Sequence, residues 1–258
     1  NLRSILRAVT LSPAMGAYLN MADNDGQAPN ENYARELLQL FALGTCQLNR
    51  DGSLSGGLSG GTCEATYDNE IVRNYAYALS GWTYPVGGIN PYCQACIGGG
   101  NPEFFRGEMA PVPARHDSEA RTLLSGVIAP AGRTPEQGLE AVLDSLMNHQ
   151  NLAPMFGKQL IQFLVTSNPS AAYIERVANA FEAGVYRSGG TPIGSGARGD
   201  MKATIAAVLL DAQARSSEVA ARADFGRLRE PVMFVTGAIR ALEGQTDGNP
   251  LSHYQWGK

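Results

Sequence analysis

Thr134-Pro135-Glu136-Gln137-Gly138-Leu139-Glu140-Ala141-Val142-Leu143-Asp144-Ser145-Leu146 is the stretch that decides the fold class. A threonine three residues ahead of a glutamine is a capping box, and proline at the first helical position costs nothing because that N–H has no partner anyway. Leu139, Val142, Leu143 and Leu146 then recur at helical spacing and define one apolar face. The same punctuation continues toward the C-terminus. The spacing predicts a helix over roughly 152–165. Asn168-Pro169 opens another with Tyr173, Ile174, Val177, Ala178 and Phe181 inward. Asp200 begins one through Ile205, Val208 and Leu209, and Glu230-Pro231 starts the last, through Phe234, Ile239 and Leu242.

Toward the N-terminus, Leu2, Ile5, Leu6 and Val9 place an amphipathic pattern at the very start. A loop of Asn20, Asp23, Asn24, Asp25 and Gly26 leads to Pro29-Asn30-Glu31-Asn32, where an asparagine can cap the next helix. Tyr33, Ala34, Leu37, Leu38 and Phe41 form its inward stripe, and Gly44 fits the stop. A further helix starts near Asp68 and buries Ile71, Val72, Tyr75 and Leu79. Asp51-Gly52 between short flanks is a hairpin-turn signal. From Thr83 to about Ala114 no period is sustained, whereas from His116 onward the chain reads as helical again. The expectation is an all-α, irregular multi-helix domain over 1–258. Its helical core covers 1–82 and 116–243, with an irregular Gly/Pro-rich loop insertion at 83–115 and one short β-hairpin.

The 258 residues carry a formal net charge of −4, 44% hydrophobic and 17% charged residues. Low hydrophobicity with high charge, the mark of disorder, is absent. The acidic balance argues against general nucleic-acid binding, and no run of about 18 apolar residues spans a membrane. No P-loop, nucleophile elbow or dinucleotide fingerprint is present, and no motif implies a cofactor.

Four cysteines stand at Cys46, Cys63, Cys93 and Cys96. An even count allows three disulfide pairings. Cys46 and Cys63 flank the hairpin signal, and Cys93-Gln94-Ala95-Cys96 would then pair locally. A four-thiolate zinc site is the rival, poorly served by this spacing. His116-Asp117 is the one place where an imidazole adjoins a carboxylate at what reads as a loop-to-helix junction. It offers a general base or a metal ligand; in the plainer alternative Asp117 or Ser118 caps the helix that follows. His149 falls at a helix end, where the dipole favours an imidazolium. Glu31, Arg35 and Glu36 form either an acid/base set or a helix ion pair. Asp23, Asp25 and Glu31 invite a calcium reading, but Met21 and Asn32 occupy the first and twelfth EF-hand positions.

Several stretches strongly resemble the bacterial domain-of-unknown-function 1800 family: Pro13-Ala14-Met15-Gly16-Ala17-Tyr18-Leu19, Pro29-Asn30-Glu31-Asn32-Tyr33-Ala34-Arg35-Glu36-Leu37 and Leu79-Ser80-Gly81-Trp82. The likeness continues through His116-Asp117 with Arg121, Leu143-Asp144-Ser145-Leu146 with His149, and Leu164-Val165-Thr166-Ser167-Asn168-Pro169. Arg198-Gly199-Asp200-Met201-Lys202-Ala203 and Leu228-Arg229-Glu230-Pro231 complete it. The resemblance implies the C-terminal half of a longer exported bacterial protein, located in the periplasm, at the cell surface or outside the cell. It implies as partners the N-terminal half of the same precursor and an alkaline-phosphatase-like exported protein, and it implies no established activity. Several family members read His where Phe41 stands and Arg where Tyr77 stands. That departure favours a non-catalytic structural or interaction subunit. The alternative is a hydrolytic or metal-assisted enzyme centred on His116, Asp117 and the helix of Glu31, Arg35 and Glu36.

Overall fold

A computed structural model describes residues 1–85, 105–228 and 230–244. Tyr92, Cys93, Cys96, Arg229 and His253 lie outside these, and with them the expected local Cys93–Cys96 bridge. The chain opens with α1 (Leu2–Thr10) and α2 (Pro13–Tyr18). The Asn1 side chain caps α1 by accepting the Arg3 N–H at 2.9 Å. α3 (Asn32–Glu36) continues directly into a π-helical turn over Leu37–Ala42. The wider turn corrects the expected stripe. The Leu43 N–H bonds back to the Leu38 carbonyl at 2.9 Å, so Ala42 and Leu43 rotate into the core while Phe41 is only half-buried.

Next come β1 (Leu58–Ser59) and β2 (Thr62–Cys63), then α4 (Asn69–Ala78), capped by Asp68 as expected. β3 (Trp82–Thr83) pairs with β4 (Ala110–Pro111), and β5 (Arg121–Thr122) with β6 (Ile128–Ala129). Here the helical reading beyond His116 is corrected. No helix starts before α5 (Pro135–Asn148), because Ser125 and the glycines 126 and 132 take positive φ and Pro130 interrupts. The Thr134 capping box that opens α5 is formed. α6 (Leu152–Leu164), α7 (Ala171–Ala183), β7 (Tyr186–Ser188), β8 (Thr191–Ile193) and α8 (Met201–Leu210) follow, then short α9 (Ala212–Arg215) and α10 (Ser217–Ala220), and finally α11 (Pro231–Ala241). The structure is mainly helical, with four small antiparallel two-stranded pairs among the described residues instead of one hairpin.

The main core packs α1, α3, α4 and α5 around Leu37, Leu38, Val72, Tyr75, Leu139, Val142 and Leu146. Two buried polar contacts fix the helices in register: Tyr75 to Ser145 at 2.5 Å and Thr10 to Tyr33 at 2.7 Å. Burial pushes the Tyr75 phenol up to about 12. A second cluster joins α6, α7 and α8 through Ile161, Tyr173, Val177 and Val208. The Asp51-Gly52 turn is present, with Gly52 at φ +77°, and its flanks pair antiparallel through a bridge of Leu48 with Leu54; the strand pair β1–β2 forms one turn later.

Cys46 and Cys63 are joined as a disulfide across a separation of 17 residues, with Cα atoms 5.7 Å apart. The same loop is held independently by buried Asn151, which donates to the carbonyls of Cys46 (2.7 Å) and Leu43 (3.2 Å) and accepts from Leu48 N–H (3.0 Å). Replacing both Cys46 and Cys63 by serine should therefore cost about 3 kcal/mol through the unfolded chain while leaving the far-ultraviolet circular dichroism unchanged. Urea titration of the variant against the oxidised protein measures this.

Candidate functional site

His116 and Asp117 sit where three glycines let backbone segments close on one another. The segment ahead of them is pinned by Val112 N–H to Gly81 carbonyl (2.7 Å) and Gly26 N–H to Arg115 carbonyl (2.7 Å). A Cβ on Gly26 would lie 2.4 Å from the Asp117 nitrogen, and one on Gly81 (φ +80°) 2.8 Å from the His116 Cβ. A Cβ on Gly138 of α5 would meet the Ala78 carbonyl oxygen at 2.3 Å and the His116 ring at 3.1 Å. Only glycine permits these approaches.

The Asp117 carboxylate, 7% exposed, spends both oxygens on arginines. Arg121 binds it in a fork, Nε to Oδ2 at 2.9 Å and Nη2 to Oδ1 at 2.6 Å, and Arg133 Nη2 reaches Oδ2 at 2.8 Å. Arg133 is itself 4% exposed and donates further to the carbonyls of Glu119 and Pro130. Its Nε is buried without a partner. Arg121 also lies 3.7 Å over the Tyr77 ring, a cation–π contact. Behind the pair, Ser80 Oγ accepts the Asp117 N–H at 3.0 Å and donates to the Tyr77 carbonyl at 2.7 Å. Burial alone would raise the Asp117 carboxyl, but the hydrogen bonds from Arg121 and Arg133 hold it below the usual range.

His116 presents Nδ1 to the Ser80 carbonyl at 2.8 Å, so Nδ1 carries the proton in the neutral ring. Nε2 is shut away from solvent with no partner. Burial pulls the imidazole below its usual range against the Ser80 carbonyl, and the Arg133 charge adds to the lowering. An open, polar cavity of about 500 Å³ lies outside, lined among others by Asp25, Gln27, Tyr77, Arg115, Glu119 and Arg121, with His116 and Asp117 in its wall. The arrangement fixes a negative charge and a neutral imidazole in a rigid wall; the nitrogen left free to accept a proton does not open onto the cavity.

The expected helix cap at Asp117 or Ser118 is absent, since no helix begins there. Glu31, Arg35 and Glu36 do not line this cavity. Glu31 is held by Arg35 at 2.8 Å and Arg73 at 3.5 Å, and Glu36 stands half-buried on α3. Asp23 accepts from Thr83 (2.7 Å) and Arg115 (3.2 Å), and Asp25 from the Gln27 N–H (2.9 Å). Among the described residues no three His, Cys, Asp or Glu gather around one metal position. His149 is corrected: it is buried, its Nδ1 accepts the Asn151 N–H at 3.1 Å, and burial lowers its pKa, so the ring there is neutral. The carbonyls at the end of α5 are instead capped by Arg198, at 2.6 Å from Met147 and 3.2 Å from His149.

Arg133 was not legible as a cluster member; its only signal is an arginine one residue before the Thr134 cap.

Over residues 1–257 the chain matches the family described as "Protein of unknown function (DUF1800)". The chain belongs to that family. No curated protein and no solved structure matches it. Within this DUF1800 chain, Tyr77 is the platform on which Arg121 rests, so the departure noted in the sequence falls inside the cluster, whereas Phe41 packs on the main core.

His116 and His149 set an acid response. Both fold with lowered pKa, so the unfolded chain binds more protons in the window below about 6.5. Stability is then complete above that value and falls as pH drops through it. Asp117, with its lowered pKa, removes a further contribution below about 4. The melting temperature measured from pH 8 to pH 3 should fall in these two stages, and His149→Gln should flatten the first.

Proposed function

We propose that this DUF1800 chain is a non-catalytic structural and interaction unit of an exported bacterial protein, working in the periplasm, at the cell surface or outside the cell. One observation carries the reading: both oxygens of the carboxylate beside the histidine are held by two arginines, one of them buried. A base or ligand must have a lone pair to offer in the direction of a substrate. Here both Asp117 oxygens are engaged by arginines, which take three of the carboxylate's roughly four lone pairs, and His116 Nε2 is enclosed. The cluster instead acts as a clasp that joins the Pro113–Arg115 turn, β5 and the start of α5 to the end of α4.

Export is supported by the Cys46–Cys63 bridge, since disulfides persist in oxidising compartments. No described helix is long and apolar enough to cross a membrane. The family resemblance supplies two partners for this reading, the remainder of the chain's own precursor and an alkaline-phosphatase-like exported protein. The rival enzyme reading needs the Glu31, Arg35 and Glu36 carboxylates and guanidinium facing His116, and these residues stand outside the cavity wall.

Asp117→Asn separates the two. Breaking a buried pair leaves Arg133 uncompensated and should cost about 3–5 kcal/mol, read by chemical denaturation. A variant as stable as the parent, or more stable, is the behaviour of a group held in place for chemistry at a cost in stability, and would overturn the clasp.

A further inference from the structure

Asn151 stands at the N-terminus of α6, where an asparagine ordinarily accepts a first-turn N–H and caps the helix. It makes no such bond here. Its Nδ2 donates instead to the carbonyls of Leu43 and Cys46 and to Thr66 Oγ1 (3.3 Å), and its Oδ1 accepts the Leu48 N–H. All four partners sit at the two ends of one loop, residues 43–66. Those ends are joined to each other by Gln47 N–H to the Glu64 carbonyl (2.8 Å), by Thr66 N–H to the Thr45 carbonyl (3.0 Å), and by the Cys46–Cys63 bridge. Among the described residues, the loop's other polar ties to the helices lie at the surface. They run from Gln47 to Gln150 at 3.1 Å, and from Arg50 to Asn179 at 2.9 Å and Glu182 at 2.8 Å.

A titratable group sets the backbone of Asn151. His149 Nδ1 accepts the Asn151 N–H at 3.1 Å, and both residues are buried. That bond needs the lone pair of the neutral ring, because an imidazolium carries a proton on each nitrogen and can only donate. Protonation therefore sets two donors against each other at a buried contact, where neither finds water. The charges around this contact are few. The last turn of α5 (Leu146-Met147-Asn148), the first turn of α6 (Leu152-Ala153-Pro154) and the loop end at 43–48 carry no charged side chain. Arg198, from the turn ahead of α8, binds the His149 carbonyl at 3.2 Å and is itself held by Glu182 of α7 at 3.4 Å.

We propose that His149 and Asn151 form an acid-sensitive latch: protonating the imidazole turns the Asn151 amide away, and its side chain releases loop 43–66 from α6. The loop moves as one unit, since the bridge and its own backbone bonds join its ends without Asn151. The latch lies apart from the clasp at Asp117, and neither depends on the other.

Amide hydrogen exchange of the whole chain, corrected for the intrinsic pH dependence of exchange, tests this. Leu48 should exchange well before Leu143 in the middle of α5, the mark of an opening smaller than global unfolding. Its protection should fall by up to about tenfold for each pH unit below ~6.5, the value the imidazole regains once the latch opens. His149→Asn keeps an acceptor in the same place, since an asparagine Oδ1 takes the N–H two residues on, and does not titrate. In that variant the protection of Leu48 should be flat with pH. Asn151→Ala should lower it already at about pH 7.5. Leu48 protection equal to that of Leu143, or unchanged down to about pH 5, would overturn the latch. So would a His149→Asn variant that keeps the parent's pH dependence, or an Asn151→Ala variant in which Leu48 stays as protected as in the parent.

Discussion

The placement of one charge governs the middle of this molecule. A carboxylate taken out of water costs several kcal/mol unless its partners are pre-positioned. For Asp117 that positioning comes from backbone close to it in space but distant in sequence: Gly26, Gly81 and Gly138 each remove a side chain from its surroundings. Arg133 can reach the carboxylate only because residues 118–132 turn back through β5 and β6 before α5 begins. The irregular conformation beyond His116 is therefore a requirement of the ion pair. A helix starting at Asp117 would place Arg133 more than four turns away from it.

Local rules located the helix starts well. Asp68, Thr134 and Asp200 all accept the backbone N–H groups their positions imply, because a cap is decided by residues within one turn of each other. Asn168-Pro169 was two residues early, with Ser170 as the actual cap. The π-turn at Leu37–Ala42 was not legible. Its hydrogen bonds have no residue signature of their own, and either register offers an apolar face. The site followed the same division. His116 and Asp117 were legible as an adjacent pair, but their roles depend on Ser80, Arg133 and Gly138, which approach through tertiary packing. His149 shows how burial outweighs a helix dipole, since a nitrogen that accepts the Asn151 N–H has no proton of its own to carry.

Tyr77 and Arg121 connect the cluster to the surface. Arg121 divides its guanidinium between the buried Asp117 and the exposed Glu119, at 3.0 Å, with its flat face on Tyr77. An arginine in place of Tyr77 would set a second guanidinium against Arg121 and oblige one of them to turn toward the cavity. The tyrosine removes that conflict and leaves Arg121 satisfied on every side.

Polar and apolar groups are consequently distributed in opposite ways. Where polar groups are buried, most have partners, down to an asparagine whose side chain serves four of them at Leu43, Cys46, Leu48 and Thr66. Where apolar groups are exposed, as along α11 and its approach, little among the described residues covers them. Saturated polar groups have little left to give a ligand, whereas uncovered apolar area gains about 25 cal/mol for each Å² withdrawn from water.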